Sequence, residues 1–170
     1  MVKYSRYSSP LGEVYAASIA GYITDVGIRY GNAGFMGRLK SRYGREIRIH
    51  EELSAFCGLF KTFDRYFSGE PVEFNVAIKP IGTPFETRVW RVLKEIPRGT
   101  VRSYGWTAGR AGSPGGARAA GGACAKNPIP IIIPCHRVIC SDGSIGGYTG
   151  GVDIKRELLR LEGYSGAESF

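Results

Sequence analysis

Apolar positions follow strand spacing early in the chain and helical spacing later. In LGEVYAASIAGYITDVGI, β-type residues flank Ala20-Gly21, which predicts a hairpin turn. GFMGRLKSRYG predicts a short helix with a glycine stop. In EELSAFCGLFKTFDRYFSG, Leu53, Phe56, Leu59, Phe60, Phe63 and Phe67 recur at helical spacing, and Gly69 ends the run. Cys57 lies near that stripe and is expected to be a packed thiol. VEFNVAI alternates, which predicts a strand with Val72, Phe74, Val76 and Ile78 on one face. KPIGTP, residues 79–84, then reads as a boundary. The expected organisation is an α/β domain over residues 1–80 and a second domain over 81–170.

The second half opens on Thr83-Pro84-Phe85-Glu86, a capping box with proline at the first helical position. Phe85, Val89, Val92, Leu93 and Ile96 define an inward face, so the helix is expected to reach about Ile96. Residues 101–112 predict a short helix. Ser113-Pro114 is expected to cap another, GGARAAGGACAKN, and the tight turn between them suggests a helix-turn-helix. The second of these helices is rich in glycine, which costs about 0.5–1 kcal/mol per mid-helix position relative to alanine. At helical spacing Arg118, Gly121, Gly122 and Ala125 share one face, a nearly bare backbone stripe. Spacing alone leaves two readings open: close packing against another helix, or close approach to the narrow minor groove of DNA. VDIKRELLRLEG is the last expected helix, stopped by Gly163.

Charge sharpens this picture. The chain has 170 residues and a net charge of +8. Between Arg88 and Arg137 stand nine basic residues and one acid, Glu95, while the remainder carries 14 of each sign. All the net charge sits in under a third of the chain, and a polyanion is its natural partner. No apolar run approaches the length of a membrane span. The first residues lack the apolar core of a secretion signal, so a cytoplasmic location is expected, with no membrane partner. Cys57, Cys124, Cys135 and Cys140 are then expected to be thiols rather than a disulfide framework. Cys135, His136 and Cys140 make a poor metal site, since adjacent ligands fit badly and a fourth is missing. Neither a metal nor any other cofactor is expected.

IPIIIPCHRVICSDG, residues 129–143, places Cys135 and His136 side by side after an apolar run. A thiol near its ordinary pKa of about 8.5 is mostly protonated at neutral pH, and a histidine held by a third group can take that proton. Neighbouring side chains on extended backbone point apart, so these two meet only across a turn or through a water. Glu162, at the end of the last helix beside Leu158, Leu159 and Leu161, is the nominated orienting acid.

These residues carry a family resemblance. NPIP at 127–130 followed by IPCHRV at 133–138 resembles the active-site signature of the O6-alkylguanine-DNA alkyltransferases. The resemblance extends to RAAGGA at 118–123, SYG at 103–105, GYTGG at 147–151 and LLRLEG at 158–163, and so covers residues 82–163 in order. It implies an α/β (α+β) protein, with a small ribonuclease-H-like N-terminal domain and a C-terminal helical domain containing a winged helix-turn-helix. It implies irreversible, single-turnover transfer of an alkyl group from O6-alkylguanine in duplex DNA to Cys135, with O4-alkylthymine as a further candidate substrate. His136, reached through a water and oriented by Glu162, is implied as the base, and Tyr104 as proton donor to the departing guanine. The resemblance further implies that Asn127 braces the nucleophile's turn, that Arg118 fills the space of the flipped nucleotide, and that Gly121 and Gly122 lie in the minor groove, with Ser103 and Ala119 as further DNA contacts. It implies a base pocket lined by Pro130, Val138, Tyr148, Thr149 and Gly150. A monomer is expected. Cys124 is read as a helix-packing residue, and Trp106 and Tyr148 as core or pocket walls. Two rivals share parts of the pattern. A DNA-binding module without chemistry leaves the cysteine unexplained, and a cysteine hydrolase leaves the basic segment unexplained.

Overall fold

The structure, a computed structural model, describes residues 1–169. The chain divides into two compact units, Met1–Pro80 and the remainder from Ile81. In the first, β1 (Val2–Ser9), β2 (Gly12–Ile19) and β3 (Tyr22–Ile28) form an antiparallel meander. Ala20 and Gly21 make the β2–β3 turn, both at positive φ (50° and 83°). A two-residue hairpin needs that backbone to match the strand twist. Helix α1 (Gly31–Tyr43) leads to β4 (Ile49–Glu51), which pairs parallel to β1 and completes the order β3-β2-β1-β4. Phe35 and Leu39, one helical turn apart, pack with Val2, Tyr15 and Ala17 on one face of the sheet. Strand alternation sends Tyr7 to the other face. There its ring meets Phe60, Phe63 and Phe67 of α2 (Cys57–Phe67), with centroids 5.3–6.0 Å apart.

This unit departs from the sequence reading in five places, the first being the short strand β4, which no pattern announced. Strand β1 goes unannounced, because VKYSRYSS is too polar to show a clear apolar alternation. Helix α2 is preceded by a 3-10 turn, Leu53–Phe56, which puts Leu53 off the apolar face and 59% exposed. Cys57 is exposed rather than packed, since it lies beside the Phe56–Phe60–Phe63 stripe and not on it. VEFNVAI keeps its alternation of half-buried and exposed residues but is not a strand. Only Ile78 pairs, with Ile23, through Ile23 N–H to Ala77 O (2.8 Å) and Lys79 N–H to Ile23 O (2.9 Å). Alternation reports one buried face, and a ladder needs a partner edge as well.

The second unit begins with α3 (Pro84–Leu93), whose capping box is complete: Thr83 Oγ1 accepts from Glu86 N–H, and Glu86 accepts from Thr83 N–H at 2.8 Å. The α-helix ends at Leu93, and looser turns carry the chain on to the buried Ile96. Val89, Trp90, Val92 and Leu93 are buried, and the Trp90 indole donates to Ala123 O at 2.9 Å. Ala123 belongs to α5 (Ala117–Ala125), which packs through Ala120, Ala123 and Cys124. Between them, α4 (Tyr104–Arg110) is capped by Ser103, whose Oγ accepts from Trp106 N–H. Ser113 does not cap α5. Its carbonyl accepts from Gly116 N–H at 2.9 Å in a tight turn, and Gly116 takes the cap position without a side-chain bond. Two-residue strands β5 (Arg102–Ser103) and β6 (Val138–Ile139) pair in parallel, and α6 (Val152–Leu161) closes the unit through Ile154, Leu158 and Leu159. No helix among the described residues is long and apolar enough to cross a membrane.

Candidate active site

The β5–β6 pairing brings two distant stretches together. Tyr104 follows β5, and the Cys135–Arg137 3-10 turn precedes β6. The turn is laced by Asn127, itself buried. Its amide donates to Ile133 O (2.7 Å) and to Cys135 Sγ (3.1 Å), and its Oδ1 accepts from Ile129 N–H (3.0 Å). Within this loop Ile131 stands at φ 73°, a strained setting for a β-branched side chain. Burial of Ile129, Ile131, Ile132 and Ile133 holds it there. Apolar anchoring and Asn127 together therefore fix where the sulfur points.

Cys135 is 6% exposed, and burial pushes its thiol up, while the Asn127 bond and the Lys155 charge pull it back. Among the described residues no hydrogen bond joins the Cys135 thiol to the His136 imidazole; the contact between the two is with the His136 backbone. The imidazole is fully buried and its Nε2 lies 2.9 Å from Glu162 Oε1. A carboxylate only accepts, so Nε2 is assigned the proton and Nδ1 the lone pair. Nδ1 has no hydrogen-bond partner among the described residues. Burial holds His136 below its ordinary 6.5, so it is neutral at pH 7 and able to accept a proton. Burial alone would raise Glu162, but the hydrogen bond from His136 and the bonds and charge of Arg137 outweigh it and keep the carboxyl well below the usual range. Arg137 grips both carboxylate oxygens, Nε to Oε2 (2.8 Å) and Nη2 to Oε1 (2.9 Å), and its Nη1 donates to Ile96 O (2.6 Å). With that permanent cation beside it, Glu162 orients the imidazole without forcing it to charge.

A cavity of about 720 Å³ opens onto Cys135, lined also by Tyr104, Arg118, Gly121, Cys124, Cys140, Tyr148 and Thr149. Burial pushes the Tyr104 hydroxyl up, so it keeps its proton. Thr149 Oγ1 donates to Ala125 O (2.8 Å), tying the cavity wall to the end of α5. Pro130, Val138 and Gly150, expected in the pocket, are not part of this lining. Val138 is fully buried in β6, Pro130 belongs to the Asn127-braced loop, and Gly150 makes room for the Tyr148 ring, which a Cβ there would meet at 3.1 Å. Ala119 is exposed on α5, whereas Ser103 is engaged as the α4 cap. Tyr148 is a pocket wall, but Trp106 is neither wall nor core, being 36% exposed. Cys124 packs α5 and lines the cavity as well.

The glycine stripe of α5 can now be tested against the packing reading. A Cβ on Gly122 would meet nothing within 4 Å, and one on Gly121 would touch the Tyr104 ring at an ordinary 3.8 Å. Nothing among the described residues requires either glycine, and Arg118, Gly122 and Ala125 face solvent.

Two residues escaped the sequence reading. Arg137 is one. The other is Lys155, fully buried, its Nζ donating to Val138 O (2.5 Å), Ile145 O (2.6 Å) and Gly147 O (3.3 Å) and lying 5.7 Å from the Tyr104 ring centroid. Burial pushes it down to about 8. The available signal was a lysine at helical spacing with Leu158 and Leu159, inside an apolar stripe.

Residues 84–164 match the family model for the DNA-binding domain of 6-O-methylguanine DNA methyltransferase. A methylated-DNA–protein-cysteine methyltransferase of Methanosarcina barkeri is 49% identical, over 94% of this chain and 96% of the relative. One of Mycobacterium tuberculosis is 40% identical over 95% and 93%. The solved structure of the Mycobacterium tuberculosis protein in complex with DNA superposes with a TM-score of 0.83 at 38% identity, covering 95% of this chain and 92% of that one.

Proposed function

The chain belongs to the methylated-DNA–protein-cysteine methyltransferase family, and from that premise we propose that it repairs duplex DNA by moving an alkyl group, methyl foremost, from guanine O6 to Cys135. One observation carries the reading. Cys135 opens onto a cavity lined by Tyr104 and Arg118, while Asn127 holds its sulfur and Glu162 holds the neighbouring imidazole.

The lesion lies inside a stacked duplex, so the base must be extruded at a cost of a few kcal/mol. The unit from Ile81 serves as the DNA-binding and transfer domain, with α4 and α5 as a winged helix-turn-helix. The first unit, with its β3-β2-β1-β4 sheet, is a ribonuclease-H-like domain. Helix α5 enters the minor groove, roughly 6 Å wide, on its bare glycine face. Arg118 fills the space of the extruded nucleotide. Tyr148 and Thr149 wall the base pocket. His136 Nδ1 takes the thiol proton through a water, and the thiolate attacks the saturated carbon. The S–C bond forms, the C–O6 bond breaks, and guanine, which receives the electron pair, takes a proton from the Tyr104 hydroxyl. A thioether is a very poor leaving group, so each chain acts once, as a monomer. O4-alkylthymine is a second substrate of the same displacement.

Incubation with duplex DNA carrying a labelled methyl on guanine O6 tests this. Wild-type protein is expected to gain one methyl increment by intact mass, and Cys135→Ala none. Uptake by Cys135→Ala, onto Cys124 or Cys140, would overturn the assignment.

A further inference from the structure

We propose that Arg102 and Trp106 form a strand-gripping element beside the base pocket, in which the guanidinium meets a DNA phosphate and the outer indole face packs on the adjoining deoxyribose. The proposal rests on the duplex-DNA reading above and adds a contact to it. The chain's two tryptophans are in opposite settings. Trp90 is 2% exposed and its indole N–H is satisfied by Ala123 O. Trp106 is 36% exposed, and no hydrogen bond among the described residues uses its indole N–H. A single exposed aromatic is common on protein surfaces and says little by itself. Here three further observations converge on it.

First, the ring is already organised. Arg102 Cζ lies 5.4 Å from the Trp106 ring centroid, and Arg102 Nη1 donates to Val101 O at 3.2 Å. One indole face is thereby backed by a cation. Second, the backbone around Trp106 is fixed by the Ser103 cap at 3.1 Å and by the β5–β6 pairing of Arg102 with Val138. Third, Tyr104 and Gly105, which immediately precede Trp106, line the cavity that holds Cys135. On α4 the inward residues are Thr107 and Ala108, while Gly105, Trp106, Gly109 and Arg110 face solvent. Trp106 and Arg110 stand four residues apart on that outward side, and Arg102 of β5 flanks the ring from outside the helix, a cation–aromatic–cation row in the segment that carries the chain's net charge. Arg110 is occupied by Glu95 at 2.8 Å, so Arg102 is the member of the row left for a phosphate. Tryptophan suits the sugar because it offers a large, stiff, amphipathic surface with a donor at its edge. Neither contact reads a base, so the element adds affinity without sequence preference.

The two tryptophans supply the readout. Duplex DNA is added to wild-type protein while Trp emission and its quenching by iodide are followed, and binding is measured in parallel by anisotropy of labelled DNA. The expected result is a DNA-dependent change in emission with loss of iodide access. That change should vanish in Trp106→Phe, whose remaining tryptophan is the buried Trp90. Trp106→Ala and Arg102→Ala should each weaken duplex binding about tenfold. If the DNA binds with Trp106 emission and iodide access unchanged, and Trp106→Ala binds as wild type does, the gripping element is wrong and the repair reading stands. If wild-type protein gives no anisotropy change with duplex, the reading beneath it falls, and the proposal with it.

Discussion

At Glu162 one carboxylate meets two basic side chains, and the division of labour between them decides the chemistry. Arg137 makes two bonds to the carboxylate and supplies the standing charge, and His136 makes one and stays neutral. Replacing Glu162 by Gln exchanges an acceptor-only carboxylate for an amide that also donates, so the imidazole tautomer is no longer fixed and Arg137 is left with a neutral partner. Single-turnover methyl transfer is expected to slow about a hundredfold, within the range for general-base support. The same residue predicts an acid response. Its folded pKa lies below the ordinary 4.5, so the unfolded chain binds the proton more readily. The associated stability is present above about pH 4.5 and is lost as pH falls below it. Chemical denaturation from pH 7 down to pH 3 should show this loss in wild type and a flatter profile in Glu162→Gln.

Helix α5 bears the cost of Gly121 and Gly122, though no contact among the described residues needs either. Gly122→Ala is therefore expected to stabilise the fold by up to about 1 kcal/mol, while weakening duplex binding because a methyl now stands on the bare face. Thermal unfolding and anisotropy on the same sample check both signs, and a variant that gains stability and binds DNA equally well would remove the groove-facing role. How legible each element was depended on where its signal lies. Thr83, Pro84 and Glu86 announce α3 because a capping box is local chemistry. The start of α5 misled because the tight turn from Ser113 to Gly116 puts Gly116, three residues further on, at the cap position. VEFNVAI showed its buried face, but no sequence pattern states that β3 pairs with it only at Ile78. At the site, Cys135, His136 and Glu162 could be nominated from residue type and motif. The Arg137 clamp and the three carbonyls around Lys155 are tertiary, and no spacing rule encodes them.

For the molecule as a whole, the formal charge overstates what DNA can feel. Of the nine basic residues between Arg88 and Arg137, Arg110, Lys126 and Arg137 are bound to carboxylates, and Arg88 and Arg98 to backbone carbonyls. Arg91, Lys94, Arg102 and Arg118 are exposed and make no ion pair among the described residues, and Arg102 spends only Nη1, on the adjacent Val101 O at 3.2 Å. About four phosphate contacts imply a log–log salt slope near −3 to −4 for duplex binding. Titration at several salt concentrations checks this, and a slope near −8 or near zero would refute it. The burial of Cys135 has a consequence on the same scale. A protein consumed by its own reaction must not be consumed by anything else. The sulfur is recessed in its cavity and burial keeps its thiol protonated, so a stray electrophile or oxidant meets Cys57 on the surface of α2 first. Shelf life and selectivity then have one cause: the reagent stays dormant until a base enters the pocket, and the number of lesions a cell can correct stays equal to the number of chains it has made.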